Sequence, residues 1–267
     1  MVEVQIIHRV STSSSATIQR ELAKLGVIVA DHGFVYFDFD EDTDGWPAVS
    51  EWIARSGAVD VARTNFSKKE LADARFLELV PDWHHGYPQP DEDTFGYQQA
   101  TYDLADWCEV CGVGKKQKAP FQMKGEPKWG KNSILQLNWV FDEYFVTPEL
   151  WSRVFAPHGV TSMPVMNTAG SELRTVVQIV IEEEVDIIAS GLRFEVCTKC
   201  SRKKYLPVAR GPFPPLAEEP SQAIARTKQY FGSGGRADKC VLVSQQLARS
   251  MTALKVRGAS LRPVQPS

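Results

Sequence analysis

The spacing of apolar residues predicts alternating strands and helices in the first 90 positions. β-Branched residues concentrate in residues 2–10, which predicts a strand. Apolar residues then recur at helical spacing, at Ile18, Leu22 and Leu25, after a run of serines and before Gly26. The same reasoning predicts further strands over residues 27–30, 34–39 and 59–62, and helices over residues 47–54 and after Ser67.

Beyond residue 100 the pattern mixes strands with short helices. Residues 134–145 are unusually apolar and aromatic, and residues 148–155 form a predicted helix with Thr147 as its cap. Strands are predicted over residues 176–181 and 185–188. The chain closes with a predicted strand, helix and strand over residues 241–244, 245–254 and 261–264. The chain is therefore expected to belong to the α+β class.

The balance of charge changes along the chain and indicates two domains. Residues 1–100 contain 17 acidic and 8 basic side chains, whereas residues 101–267 contain 16 and 22. The change coincides with a stretch rich in Pro, Asp and Gly over residues 87–96, a composition typical of domain boundaries. We predict a small α/β domain over residues 1–90 and a second, α+β domain over residues 91–267.

Overall composition narrows the function classes. The net charge of −3 argues against a globally basic nucleic-acid coat. No apolar run is long enough for a membrane-spanning helix, so no membrane partner is expected. The first residues lack the basic-then-apolar order of a secretory signal, which predicts a cytoplasmic protein.

Four of the five cysteines form two Cys-x-x-Cys pairs, Cys108 with Cys111 and Cys197 with Cys200. This spacing lets a tight turn aim both sulfurs at one metal ion, and two such turns supply the tetrahedral thiolate set that zinc prefers. The 85 residues between the pairs exceed the separation in a compact four-cysteine site. We therefore predict a zinc-ribbon-type domain with a segment inserted between its two turns. Cys240 is predicted to be a buried apolar residue instead.

The predicted zinc is structural rather than catalytic. Four thiolates fill the coordination sphere and leave no position for a reactive water. A redox dithiol is less consistent with a duplicated pair, and disulfides are less consistent with a cytoplasmic protein. No phosphate-binding loop, nucleophile elbow or metalloprotease motif occurs, and no catalytic residue is assigned. The sequence thus favours a binding protein over an enzyme.

These motifs resemble the double-CxxCG-motif family, which is associated with immunity to contact-delivered bacterial toxins. Residues 108–112 match the first motif of that family, whereas Ser201 replaces the glycine expected after Cys200. Residues 241–264 resemble the closing strand, helix and glycine-containing strand of the family. The resemblance covers residues 100–264. It implies a bacterial, zinc-stabilised protein that neutralises a protein partner, such as a toxin, by covering it.

Basic residues beside both cysteine pairs leave a second function open. If the two turns share one metal, these residues meet on one face, where they would bind nucleic acid or an acidic protein. A protein-binding function predicts instead an exposed apolar patch, which we place on the acidic first domain. The identity of the partner and the oligomeric state stay open. The basic residues in question are Lys115, Lys116, Lys118, Lys199, Arg202, Lys203 and Lys204.

Overall fold

A computed structural model of the chain describes residues 5–29, 33–90 and 95–266. The mixed α+β class is confirmed, although strands dominate, with 37% of the chain in strands and 20% in helices. The chain forms two compact units. Unit 1 comprises Met1–Lys68 with Val208–Pro212, and unit 2 comprises Lys69–Pro207 with Phe213–Ser267. Within the described ranges, no helix is both long and apolar enough to cross a membrane.

The division between the units differs from the one expected near residue 90. The strand Phe76–Pro81 pairs on one side with Asp238–Ser244 and on the other with Ala259–Pro263. All three strands belong to unit 2. Charge and turn composition along the chain do not report such long-range pairing, so they placed the boundary after this strand instead of before it.

Unit 1 is a three-stranded antiparallel sheet in the order β2-β1-β3, with two helices. Its elements are β1 Gln5–Ser13, α1 Ala16–Lys24, β2 Phe34–Asp40, α2 Trp46–Ser56 and β3 Val59–Asn65. The Ser15 hydroxyl caps α1 by accepting a hydrogen bond from the Ile18 N–H (3.2 Å). The helices pack Leu22, Val49 and Trp52 against the sheet residues Val10 and Val35.

One strand predicted in unit 1 is absent from the described residues. Residues 27–29 have no regular structure, because the Val27 N–H still bonds to the Leu22 carbonyl at the end of α1. Residue 30 lies outside the described part of the chain. The other strands and helices predicted in this part of the chain are present, although several of their ends differ by a few residues. Residues 2–4 of the first predicted strand lie outside the described part of the chain.

Unit 2 contains two large sheets. One has five strands in the order β7-β10-β11-β9-β8, and the other has the order β13-β14-β15-β16-β4-β17 with β12 paired to β15. The strands are β4 Phe76–Pro81, β5 Tyr102–Asp103, β6 Lys116–Gln117, β7 Gln122–Met123, β8 Ile134–Leu137, β9 Val140–Val146, β10 Ser162–Asn167, β11 Glu172–Ile179, β12 Glu184–Val185, β13 Phe194–Val196, β14 Lys203–Tyr205, β15 Ile224–Phe231, β16 Asp238–Ser244 and β17 Ala259–Pro263.

Short helices complete unit 2. They are α3 Lys68–Asp73 at the division between the units, α4 Gly96–Thr101, α5 Pro148–Leu150 with its π-helical continuation Trp151–Phe155, a 3-10 turn Ala156–His158, and α6 Gln245–Ala253. The largest core joins both sheets to α6, and includes Leu77, Ile134, Phe155, Val243 and Leu247.

Several local predictions in unit 2 are confirmed. The Thr147 hydroxyl accepts from the Leu150 N–H (3.1 Å), and the Ser244 hydroxyl caps α6 by accepting from the Leu247 N–H (3.3 Å). The apolar stretch 134–145 is a hairpin of β8 and β9, with Trp139 in the left-handed region (φ 70°) at its turn. The five-stranded sheet lies between the two cysteine pairs in sequence.

Candidate metal centre

The four paired cysteines come together in unit 2. Their sulfur atoms all lie within 4.8 Å of one another. Cys108 Sγ is 3.7 Å from Cys197 Sγ, and Cys111 Sγ is 3.6 Å from Cys200 Sγ. A tetrahedral zinc ion with bonds of about 2.3 Å holds its sulfurs about 3.8 Å apart. The sulfurs are too far apart for disulfides, so this donor set fits a metal ion, and its soft ligands are those that zinc accepts.

The two Cys-x-x-Cys loops have the same backbone hydrogen bonds. In the first loop, the Gly112 N–H donates to the Cys108 carbonyl (2.7 Å), and the Cys108 N–H donates to the Val113 carbonyl (2.9 Å). In the second, the Ser201 N–H donates to the Cys197 carbonyl (2.9 Å), and the Cys197 N–H donates to the Arg202 carbonyl (3.0 Å). Two matching turns therefore present the two cysteine pairs to each other.

The residue after each loop has a left-handed backbone, but only the first must be glycine. Gly112 has φ 80° and Ser201 has φ 60°. A Cβ atom at Gly112 would lie 2.2 Å from the Gly235 carbonyl oxygen, which no real Cβ contact allows. Ser201 is exposed, so it bears only the modest cost of a positive φ. Serine at position 201 is thus compatible with the same turn.

Backbone N–H groups favour the thiolate form of the first cysteine of each loop. The N–H groups of Cys111 and then Val110 lower the pKa of Cys108 to about 6, and the N–H of Cys200 likewise lowers the pKa of Cys197. Burial raises the pKa of Cys111 to about 12. A bound cation would offset that burial cost, because a coordinating thiol is deprotonated.

Lys204 fastens the first loop to the turn between β15 and β16. Its side chain is only 2% exposed. Its Nζ atom donates to the carbonyls of Cys111 (3.1 Å), Gly234 (2.5 Å) and Arg236 (2.8 Å). A buried ammonium needs such partners, and three carbonyls match its three donors. This predicted partner-binding residue therefore supports the metal loop from inside and is not available to a partner.

Arg202 makes a similar connection between the two loops. Its guanidinium donates to the carbonyls of Val113 (3.2 Å) and Asp106 (2.5 Å). Arg202 follows the second cysteine pair, and Val113 follows the first. Its side chain therefore holds the two turns together, in addition to any metal they share.

The other predicted basic residues have varied surroundings. Lys199 forms an ion pair with Glu109 (2.8 Å), and Lys116 lies 3.6 Å from Asp106. Lys203 lies over the Phe194 ring, with its Nζ atom 4.3 Å from the centroid. Lys115 lies over the Tyr102 ring at 5.2 Å, and Lys118 is exposed. Two of these side chains therefore face carboxylates, and two lie against aromatic rings.

The burial of Lys204 had a signal in the sequence. Lys203, Lys204 and Tyr205 form β14, and successive side chains of a strand point to opposite faces. Two adjacent lysines of this strand could not both face solvent on the same side. Cys240 lies outside the metal cluster and is half-buried; its backbone N–H donates to the Thr227 hydroxyl (3.1 Å).

No protein-family model matches the chain, and the curated proteins include no significant match to it.

Proposed function

We propose that this protein is a zinc-stabilised binding protein that acts by covering a protein partner and performs no chemistry of its own. The observation that carries the proposal is an exposed apolar surface on the sheet of unit 1. The candidate metal centre provides the second argument, because a site with four thiolate ligands is typical of structural rather than catalytic zinc.

The exposed surface lies on the face of the sheet opposite to α1 and α2. Phe34 and Tyr36 of β2 are 61% and 72% exposed, and Val59 and Val61 of β3 are 60% and 52% exposed. The register places Tyr36 and Val59 on either side of Ser11. We call these four apolar side chains, with the β1 residues between them, the open face.

The open face has the composition of an interaction surface. Aromatic and β-branched side chains grouped on one exposed sheet face are typical of a protein-interaction site. A bidentate ion pair between Arg9 and Asp38 (2.7 Å) crosses the same face. Residues 1–68 contain 10 acidic and 6 basic side chains, so a partner with basic residues around an apolar centre would be complementary.

The metal centre supports a structural role for zinc. Four sulfurs complete a tetrahedral set and leave no position for water or substrate. The resemblance to the double-CxxCG-motif family further supports a partner of the toxin class, neutralised by being covered, in a bacterial cell. The two cysteine loops then serve to hold unit 2 in shape.

Nucleic-acid binding through the basic residues has less support. Lys204 and Arg202 use their donors on backbone carbonyls, and Lys199 is paired with Glu109. Fewer positive groups therefore remain for phosphates than the sequence suggests.

The experiment is a quantitative test of the open face. The zinc-loaded full chain is used to recover partners from a nuclease-treated extract of the native cells, and each recovered protein is prepared and titrated by calorimetry. We expect the double variant Tyr36→Asp/Val61→Asp to bind at least about tenfold more weakly, because charges would replace the centre of the interface. The control is Ile188→Asp, which places a charge on an exposed apolar residue of unit 2.

Zinc content and thermal unfolding of the variants confirm that folding is intact. Affinity of the open-face variant equal to that of the control would overturn the assignment of the open face. If nuclease treatment removed every recovered partner, the protein-binding function itself would be wrong and nucleic acid would be favoured.

A further inference from the structure

Unit 2 contains a cleft next to the metal loops that is lined by both charged and apolar side chains. Its volume is about 520 Å³, within the range of small-molecule sites. The segment that follows the first cysteine loop forms one wall, and β9, β11 and β15 contribute side chains from the facing sheets. Gly112 also lines the cleft, so the metal loop helps to shape it.

The base of the cleft is a buried ion pair held in a network of amides. Arg226 Nη1 lies 2.9 Å from Glu143 Oε1, and Gln178 donates to Glu143 Oε2 (3.0 Å). The amides of Gln117 and Gln178 exchange two hydrogen bonds, of 2.9 and 2.7 Å. These bonds fix the positions of the polar atoms before any ligand arrives.

Arg226 lines the cleft and carries one unpaired donor among the described residues. Within the described part of the chain, its buried Nε atom has no hydrogen-bond partner. A buried donor without a partner is costly, and such groups are rare in folded proteins. Burial alone would lower the pKa of Arg226, but the carboxylates of Glu143 and Asp142 outweigh it and hold this pKa above its usual value. The guanidinium is therefore charged at every pH that the protein tolerates.

Further lysines line the cleft, and they differ in exposure. Lys115 is half-buried over the Tyr102 ring, and Lys118 is exposed. Lys239 lies over the Tyr230 ring, with its Nζ atom 5.0 Å from the centroid, and is bonded to Glu184.

The charged groups that line the cleft are unbalanced. Five are basic and three are acidic. Arg226 and Lys239 are paired with lining carboxylates, and Lys116 is paired with Asp106, which does not line the cleft. Among the charged groups that line the cleft, this leaves Lys115 and Lys118 against Asp142. A concave site with an excess of one sign concentrates ligands of the opposite sign. The set comprises Lys115, Lys116, Lys118, Arg226 and Lys239 against Asp142, Glu143 and Glu184.

We propose that this cleft binds a small molecule through an oxyanion group, a carboxylate or a phosphate, with Lys115 and Lys118 at the mouth and Arg226 at the base. Charge-assisted bonds from lysine and arginine are the strongest that such oxyanions make. The site is separate from the open face of unit 1 and does not depend on the protein-binding function proposed above.

The test is calorimetric titration of the zinc-loaded full chain with inorganic phosphate and, separately, with succinate, at low ionic strength. Saturable binding of either anion supports the site, and the preferred anion identifies the source of the oxyanion as a phosphate or a carboxylate. We expect Lys115→Gln/Lys118→Gln to lower the affinity for the preferred anion about tenfold or more. The matched control is Lys128→Gln/Lys131→Gln, which removes two exposed lysines that do not line the cleft.

A second variant tests the base of the cleft without leaving a charge unpaired. Arg226→Met/Glu143→Met removes both members of the buried pair. We expect this variant to keep its zinc and to bind the preferred anion about tenfold or more weakly than the wild type does. Failure of both anions to saturate the wild-type protein would overturn the proposal. Equal weakening by the control pair, or full affinity in the variant without the buried pair, would overturn it as well.

Discussion

Lys204 offers a sharp test of how the metal centre is held together. The substitution Lys204→Met keeps most of the apolar stem and removes the ammonium that three carbonyls share. Those carbonyls belong to Cys111, Gly234 and Arg236, at distances of 3.1, 2.5 and 2.8 Å. We therefore expect the variant to loosen the first cysteine loop from the turn between β15 and β16.

The size of the effect follows from the number of bonds lost. A hydrogen bond to a charged group contributes about 1.5–3 kcal/mol net, and a buried polar atom left without a partner costs about 1–3 kcal/mol. The loss of three such bonds sets the upper limit of the destabilisation. The actual destabilisation is smaller, because the variant avoids the desolvation cost of burying an ammonium. We expect a loss of about 3–5 kcal/mol in the free energy of unfolding of unit 2.

The assay follows zinc release during urea unfolding with a coloured zinc chelator. Zinc release reports on unit 2 alone, since all four paired cysteines belong to it. The matched control is Lys203→Met, which alters the neighbouring lysine on the exposed side of the same strand. We expect its midpoint to stay close to that of the wild type. Equal midpoints for the two variants would refute the role that we assign to the buried lysine.

Three further predictions concern the same unit. Cys108→Ser should abolish zinc binding and unfold unit 2, because the free energy of binding a structural zinc ion contributes directly to folding. Cys240→Ala should lower the free energy of unfolding by only about 1–2 kcal/mol. Metal analysis and circular dichroism of the two variants test this difference. Gly112→Ala should destabilise the zinc-loaded protein by at least about 2 kcal/mol more than Gly191→Ala does. Both glycines have a φ of 80°, but a Cβ at position 191 would lie in open space. Equal urea midpoints for the two variants would refute the steric argument. Burial raises the pKa of Asp238 from 3.8 to about 6, so the native state binds this proton more tightly than the unfolded chain, and stability falls as pH rises through that interval. In urea unfolding, the free energy of unfolding of Asp238→Asn should therefore rise relative to that of the wild type as the pH increases from 4 to 6. A difference between the two proteins that does not change with pH would contradict the assignment.

The sequence predicted the local elements well because their causes are local. The helix after Ser15, the helix after Ser244 and the helical turn after Thr147 each begin where a hydroxyl caps the first turn. The Cys-x-x-Cys spacing is equally local, and it predicted the four residues that converge. The strand expected at residues 27–30 was wrong over its described part, because the helix end continues to bind the Val27 N–H.

Features that depend on distant residues were not visible along the chain. The boundary moved from residue 90 to Lys68 because Phe76–Pro81 pairs with two strands that lie more than 150 residues later. The role of Lys204 depends on carbonyls of Gly234 and Arg236, which follow it by 30 and 32 residues. The ion pair of Arg226 and Glu143 joins residues 83 positions apart.

The sequence by itself thus determined the four cysteines of the candidate metal centre, the α+β class and the capped helices, since each follows from the spacing of residues a few positions apart. Only the tertiary structure decided which basic residues are buried, which face of the first sheet is open and where the cleft of unit 2 forms. Those properties depend on which strands pair and which side chains they exclude from water, and no short stretch of the sequence contains that information.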